Sequence, residues 1–159
     1  MIRYLLDTNL CIRVLRDRPA ALRDRFNLEA DGLCISTIVL SELLHGAAKS
    51  AQPARNRTEV ERFAARLSIL AFDEAAAAHA ADIRATLERR GQPIGGYDLL
   101  IAGHARSQGL TIITGNLGEF ARVDGGGVVR VWLQDRDDAS HATGPAGNFR
   151  GGGQLVEAQ

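Results

Sequence analysis

Five short apolar runs, each closed by polar or glycine-containing residues and parted from the next by helix-patterned stretches, constrain this chain most. They are Ile2 to Leu6, Leu33 to Ile35, Ser68 to Phe72, Leu110 to Thr114 and Val128 to Leu133. Runs this short are strand-sized, and their apolar side chains do not alternate with polar ones, so both faces must be covered. Strands separated by helices of 10 to 17 residues indicate βαβ units, hence an α/β fold with a parallel sheet flanked by helices on both faces.

The helices carry their own punctuation. Asp7-Thr8-Asn9 reads as a turn or cap ahead of a helix from Leu10 to Arg16. A second helix, Ala20 to Phe26, follows the break at Arg18-Pro19. Ser36 or Thr37 caps a helix reaching about Ala48, and Pro53 is placed to start one that runs to Leu67. Asp73 caps a long alanine-rich helix to Arg90, ended by Gly91. Ile94-Gly95-Gly96 leads into a helix from Tyr97 to Ser107, ended by Gly109. Beyond Gln134 the pattern dissolves into Asp, Gly, Ser and Asn. The expected organisation is one domain over residues 1–133 and a polar, glycine-rich tail over 134–159 that is disordered.

Composition excludes several classes. Hydrophobic residues at 45% and charged residues at 24% are ordinary globular proportions, which argues against wholesale disorder. No run of about 18 apolar residues exists to span a bilayer, and a carboxylate at Asp7 is incompatible with a signal peptide. Cys11 and Cys34 are too few for a disulfide scaffold and lack metal-binding spacing, so a cytosolic protein is expected. The 19 basic and 19 acidic residues cancel, yet all the basic ones except Lys49 are arginine, the side chain best shaped for phosphate. The tail holds four acids against two arginines, leaving the domain itself slightly positive.

Three acids occupy positions that a plain core would fill with apolar residues. Asp7 ends the first strand, at the sheet edge where open α/β proteins bind ligands; its alternative is a helix N-cap. Glu42 lies within the apolar stretch Ile38 to Leu44, and Asp98 shares a helical face with Ala102 and Ala105. Either one alone could be a solvated helix residue. Together they change the reading, because unpaired buried carboxylates cost several kcal/mol each and a convergent set needs counter-charge. With no lysine nearby, an oxygen-only site suits Mg²⁺, with Mn²⁺ as a substitute. Such ions favour phosphate substrates through nucleophile activation and leaving-group stabilisation. Thr114-Gly115-Asn116 ends a further strand at the same edge; Asn116 offers a carbonyl oxygen or forms an ordinary Asx turn, and Glu119 lies one turn on. His45, His79, His104 and His141 form no pair at metal-ligand spacing, and Arg55, Arg57, Arg62 and Arg66 read as one solvated helix face.

Leu5-Leu6-Asp7-Thr8-Asn9, Ser41-Glu42-Leu43, Gly95 to Ala102, and Thr114-Gly115-Asn116 with Glu119-Phe120 resemble, in order and spacing, the motifs of PIN-domain ribonucleases. With a domain of about 130 residues, the set is similar to the VapC toxins of bacterial type II toxin–antitoxin pairs. Asp7 to Ile12 and Arg25 to Leu28 are similar to the branch that includes enterobacterial VapC. The resemblance covers Met1 to Leu133. It implies a five-stranded parallel sheet and a Mg²⁺-dependent endoribonuclease site with Asp7, Glu42, Asp98 and Asn116 as catalytic positions. Asp7 and Asp98 are implied as principal metal ligands, and Glu42 as a ligand directly or through water. Thr8, Asn9, Thr114 and Glu119 are implied as supporting residues, Thr8 and Asn9 bracing Asp7. Asn116 departs from the family, which often has aspartate there, so one negative charge is missing from any second metal site. The resemblance also implies in-line hydrolysis leaving 5′-phosphate and 3′-hydroxyl ends, with initiator tRNA cut in its anticodon loop. Implied partners are a VapB-type antitoxin, a second copy of the toxin, and promoter DNA bound only through the toxin–antitoxin complex.

Two other classes compete. A haloacid-dehalogenase-like phosphatase also begins with a strand and an Asp, but needs a second acid where Asn9 stands and a catalytic lysine for which only Lys49 is available. The non-enzymatic alternative is an RNA- or protein-binding domain whose acids merely cap helices.

Overall fold

The computed structural model describes residues 1–17, 20–115, 117–124 and 129–132. The tail over 134–159 lies outside these residues, as do Asn116 and His141. Within them the chain forms β1 (Tyr4–Leu6), α1 (Thr8–Asp17), α2 (Ala20–Leu28), a 3₁₀ turn (Ala30–Gly32), β2 (Leu33–Ser36), α3 (Thr37–Lys49) and α4 (Pro53–Ala64). There follow β3 (Ser68–Leu70), α5 (Glu74–Arg89), α6 (Gly96–Gln108), β4 (Thr111–Thr114), α7 (Leu117–Phe120) and β5 (Val129–Val131).

The described strands make the one parallel sheet that the sequence predicts, and its order is β3-β2-β1-β4-β5. From β1 the chain adds strands outward to β2 and β3, then returns through α5 and α6 to place β4 on the other side of β1. Parallel crossovers are right-handed, so α1 to α4 cover one face and α5 to α7 the other. In keeping with this, α3 packs on α1 and α4, and α5 packs along α6. The order reverses between β1 and β4, and in open α/β sheets that switch point opens a crevice beyond the carboxyl ends of the strands.

The central strands are mostly apolar because both faces are covered: Leu5, Leu6, Leu33, Ile35, Ile112 and Ile113 are buried. Edge strand β3 is mostly exposed, consistent with its mixed residues. Caps fall where the sequence puts them. Ser36 Oγ accepts from Ile38 N at 3.0 Å, Asp73 Oδ1 accepts from Ala76 N at 2.9 Å, and Gly109 ends α6 with φ +64°. Pro53 starts α4. The α5–α6 contact is close because Gly103 faces Ala80: a Cβ at 103 would stand 2.6 Å from Ala80 backbone atoms.

The four arginines expected on one solvated helix face are exposed, although α4 ends at Ala64 and leaves Arg66 beyond it. Arg57 pairs with Glu61 at 2.8 Å, Arg62 with Glu59 at 3.3 Å, Arg55 bonds Gln52 and Arg66 bonds Asn27. Both cysteines are free and fully buried, and burial pushes the Cys34 thiol up to about 12. Among the described residues no helix is long and apolar enough to cross a membrane.

Candidate active site

Asp7 follows the last residue of β1 and is 2% exposed. Its two oxygens have separate partners. Oδ1 accepts from Leu10 N at 2.8 Å, which caps α1, and Oδ2 accepts from the Thr114 hydroxyl at the end of β4. The cap and ligand readings are therefore not exclusive, since one carboxylate closes the helix and stands in the switch-point crevice. Burial pushes its carboxyl up to about 6; the Thr114 and Leu10 bonds pull the other way, and repulsion from Glu42 adds to the rise.

Glu42 is half-buried on the second turn of α3. Its carboxylate accepts from the Thr8 hydroxyl, joining the start of α1 to α3. Burial raises its carboxyl above the ordinary value, against the lowering effects of Thr8 and His45. Asn9 is exposed in the first turn of α1, and the bonds that orient Asp7 come from Leu10 and Thr114 instead.

Asp98 lies in the first turn of α6, where Gly95-Gly96 lets the chain enter the helix without side chains at the mouth. Its carboxyl rises to about 7, first from burial, then from a hydrogen bond with Glu119 and repulsion by Glu119, Asp7 and Glu42. Glu119, on α7, is correspondingly held below its usual range. The pair shares a proton on the Asp98 side. Glu119 Oε2 also accepts from Gly95 N at 3.2 Å, so α7 is fastened to the amino end of α6.

Four acids from four segments thus face one another across the switch point. The groups that shift the carboxyls of Asp7, Glu42 and Asp98 include no arginine or lysine, while Arg122 helps lower that of Glu119. A divalent cation with oxygen preference fits this electrostatic demand. Among the described residues no three His, Cys, Asp or Glu side chains stand ready to enclose an ion. Mg²⁺ does not require such a cage, since it keeps several waters and is commonly held by one or two carboxylates. The donor set fits.

His104 belongs to no metal-ligand pattern in the sequence. The structure buries it completely, with Nδ1 2.9 Å from Ser36 Oγ and its ring edge-on to Phe72 at 5.6 Å. Burial lowers its basicity. Its partners are 68 and 32 residues away in sequence, so no local pattern announces it.

A sheet of this order with an acidic crevice at its switch point defines a nuclease-like α/β domain. The PIN domain family model matches residues 4–126, and the chain belongs to that family. Within the family it is similar to VapC proteins. It is 50% identical over 125 residues to the tRNA(fMet)-specific endonuclease VapC of Shigella flexneri, covering 79% of this chain and 95% of the relative. It is 46% identical over 123 residues to ribonuclease VapC2 of Haemophilus influenzae, covering 77% and 93%. Among solved structures, a chain of DNA-bound VapBC from Salmonella typhimurium superposes with a TM-score of 0.81 at 47% identity, over 84% of this chain and all of that one. VapBC2 of Rickettsia felis, bound to a promoter DNA fragment, gives 0.79 at 34% identity. Nucleases with this domain depend on metal ions as a class, in accord with the acidic crevice. Family membership displaces the phosphatase alternative.

Proposed function

We propose that this protein is the toxin of a bacterial type II toxin–antitoxin pair, a Mg²⁺-dependent endoribonuclease that halts translation by cutting tRNA, with the anticodon loop of initiator tRNA as the target. The observation that carries this reading is the convergence of Asp7, Glu42 and Asp98 at the β1–β4 switch point, with no arginine or lysine among the described groups that shift their carboxyls. The names of the relatives support the substrate. The VapBC complexes among the structural neighbours support a VapB-type antitoxin as partner and promoter DNA bound through the complex, and a second copy of the toxin completes the proposed assembly. The cytoplasm is the compartment in which such a substrate and partner meet.

Asp7 and Asp98 would hold the ion directly and Glu42 through water, with Mn²⁺ able to replace Mg²⁺. Bound there, the ion supplies charge neutralisation for the phosphodiester and activation of water. The chain's own residues prepare the site. Leu10 N and Thr114 fix the Asp7 carboxylate, so its orientation costs no reorganisation during reaction. Thr8 holds Glu42 at the edge of the crevice, where its raised carboxyl can take a proton from an attacking water. Glu119, hydrogen-bonded to Asp98 and accepting from Gly95 N, keeps the helix mouth in place. In-line attack leaves a 5′-phosphate and a 3′-hydroxyl. An anticodon loop suits such a site because its unpaired bases can swing away from the backbone being cut. Asn116, a catalytic position by resemblance, lies outside the described residues.

The test is cleavage of total tRNA by the purified protein with Mg²⁺, with EDTA, and by Asp7→Ala and Asp98→Ala. Cleavage that survives EDTA and both substitutions overturns the reading.

A further inference from the structure

Seven aromatic side chains fall within the described residues, and six are buried or half-buried. Tyr4 packs on Trp132, Phe26 on Phe63 and Phe72 on His104, all with ring centroids within 6 Å. Tyr97 is the exception. It is 59% exposed and makes no hydrogen bond or ring contact with another described residue. It also immediately precedes Asp98 in the first turn of α6. The approach is open, since even a Cβ added at the preceding Gly96 would meet nothing within 4 Å. Leu117, 46% exposed, lies on α7, which Glu119 fastens to the same helix mouth through Asp98 and Gly95. Of the five large apolar side chains exposed among the described residues, two thus lie within two residues of Asp98 or Glu119 in the chain.

An edge built of carboxylates repels a phosphate backbone, so an RNA strand held there needs a contact that does not depend on charge. Stacking of an unpaired base on an aromatic ring is such a contact, and it tolerates any base because every base has a π-face. We propose that Tyr97 is a positioning residue whose ring stacks on the base adjoining the scissile phosphate, selecting single-stranded RNA over duplex. This rests on the ribonuclease reading above. The ring touches the base and not the reacting atoms, so it holds ground state and transition state alike. Its loss raises KM and leaves kcat nearly unchanged.

The test compares wild type with Tyr97→Ala, Tyr97→Phe and Tyr97→Trp on a single-stranded oligoribonucleotide, and on the same strand with abasic residues beside the cut. Tyr97→Ala is expected to lose about tenfold to a hundredfold in kcat/KM on the intact strand. Phe and Trp restore it, and wild type and Tyr97→Ala become alike on the abasic strand. An alanine variant that matches wild type on intact RNA, or whose deficit persists on the abasic strand, overturns the proposal. So does one that loses only its grip on the antitoxin, which would assign the ring to a protein partner. Binding of the labelled strand in EDTA, read by anisotropy for the same variants, separates the two claims. A wild type that binds but never cuts removes the ribonuclease reading, while the affinities still decide the role of Tyr97. Unchanged thermal stability of Tyr97→Ala is the folding control.

Discussion

The Thr114 hydroxyl donates to the Asp7 carboxylate, joining the carboxyl ends of β4 and β1 at the point where the order of the sheet reverses. The two residues are 107 positions apart, yet parallel pairing of Leu6 with Ile113 brings them side by side. A carboxylate this deeply buried survives only with such donors. Their incomplete compensation leaves Asp7 with a raised carboxyl and a crevice that favours a proton or a metal ion over neither.

The metal-free protein is therefore stabilised by removing this charge. A folded-state carboxyl raised from 3.8 to about 6 binds its proton more tightly than the unfolded chain does. The associated stability is present below pH 4 and is lost as pH rises through 6. Asp7→Asn is expected to gain roughly 1–3 kcal/mol in EDTA at pH 7.5 and about half as much at pH 5, while abolishing RNA cleavage. Thermal unfolding at the two pH values measures this, and an equal or negative change at both would contradict it.

Saturating Mg²⁺ should stabilise the wild type by mass action, about 2.7 kcal/mol at a hundredfold excess over Kd. Asp98→Asn and Asp7→Asn should show little of this shift. Differential scanning fluorimetry across a Mg²⁺ series reads it directly. If both variants respond like the wild type, the ion binds elsewhere.

Glu119 acts on Asp98 rather than on RNA. Its hydrogen bond and charge help lift the Asp98 carboxyl to about 7, after burial. Glu119→Ala should let Asp98 ionise at lower pH, so the acid limb of kcat/KM moves down. A profile from pH 5 to 8.5 that leaves this limb in place would refute the coupling.

Gly103→Ala should destabilise by about 1–3 kcal/mol, because its Cβ would fall 2.6 Å from the Ala80 backbone and force α5 off α6. A lower urea midpoint with an unchanged slope is expected. The crevice lies at the far end of α6, so residual cleavage at low temperature should persist.

Much of this molecule was legible in the chain itself. The apolar strands, the caps at Ser36 and Asp73, the proline start at Pro53 and the glycine stop at Gly109 are local signals, and the structure repeats them within a residue or two. They are local because backbone sterics and the first hydrogen bonds of a helix involve only neighbours in sequence. The ordered acids also pointed to a site through their mismatch with apolar surroundings. Tertiary structure alone decided the rest. The proton shared by Asp98 and Glu119, the Thr8 clasp on Glu42, the burial of His104 against Ser36 and the exposure of Tyr97 all depend on which strand lies beside which. Hydrogen bonding and desolvation act over a few ångströms of space, and only the strand order β3-β2-β1-β4-β5 turns separations of tens of residues into distances of that size.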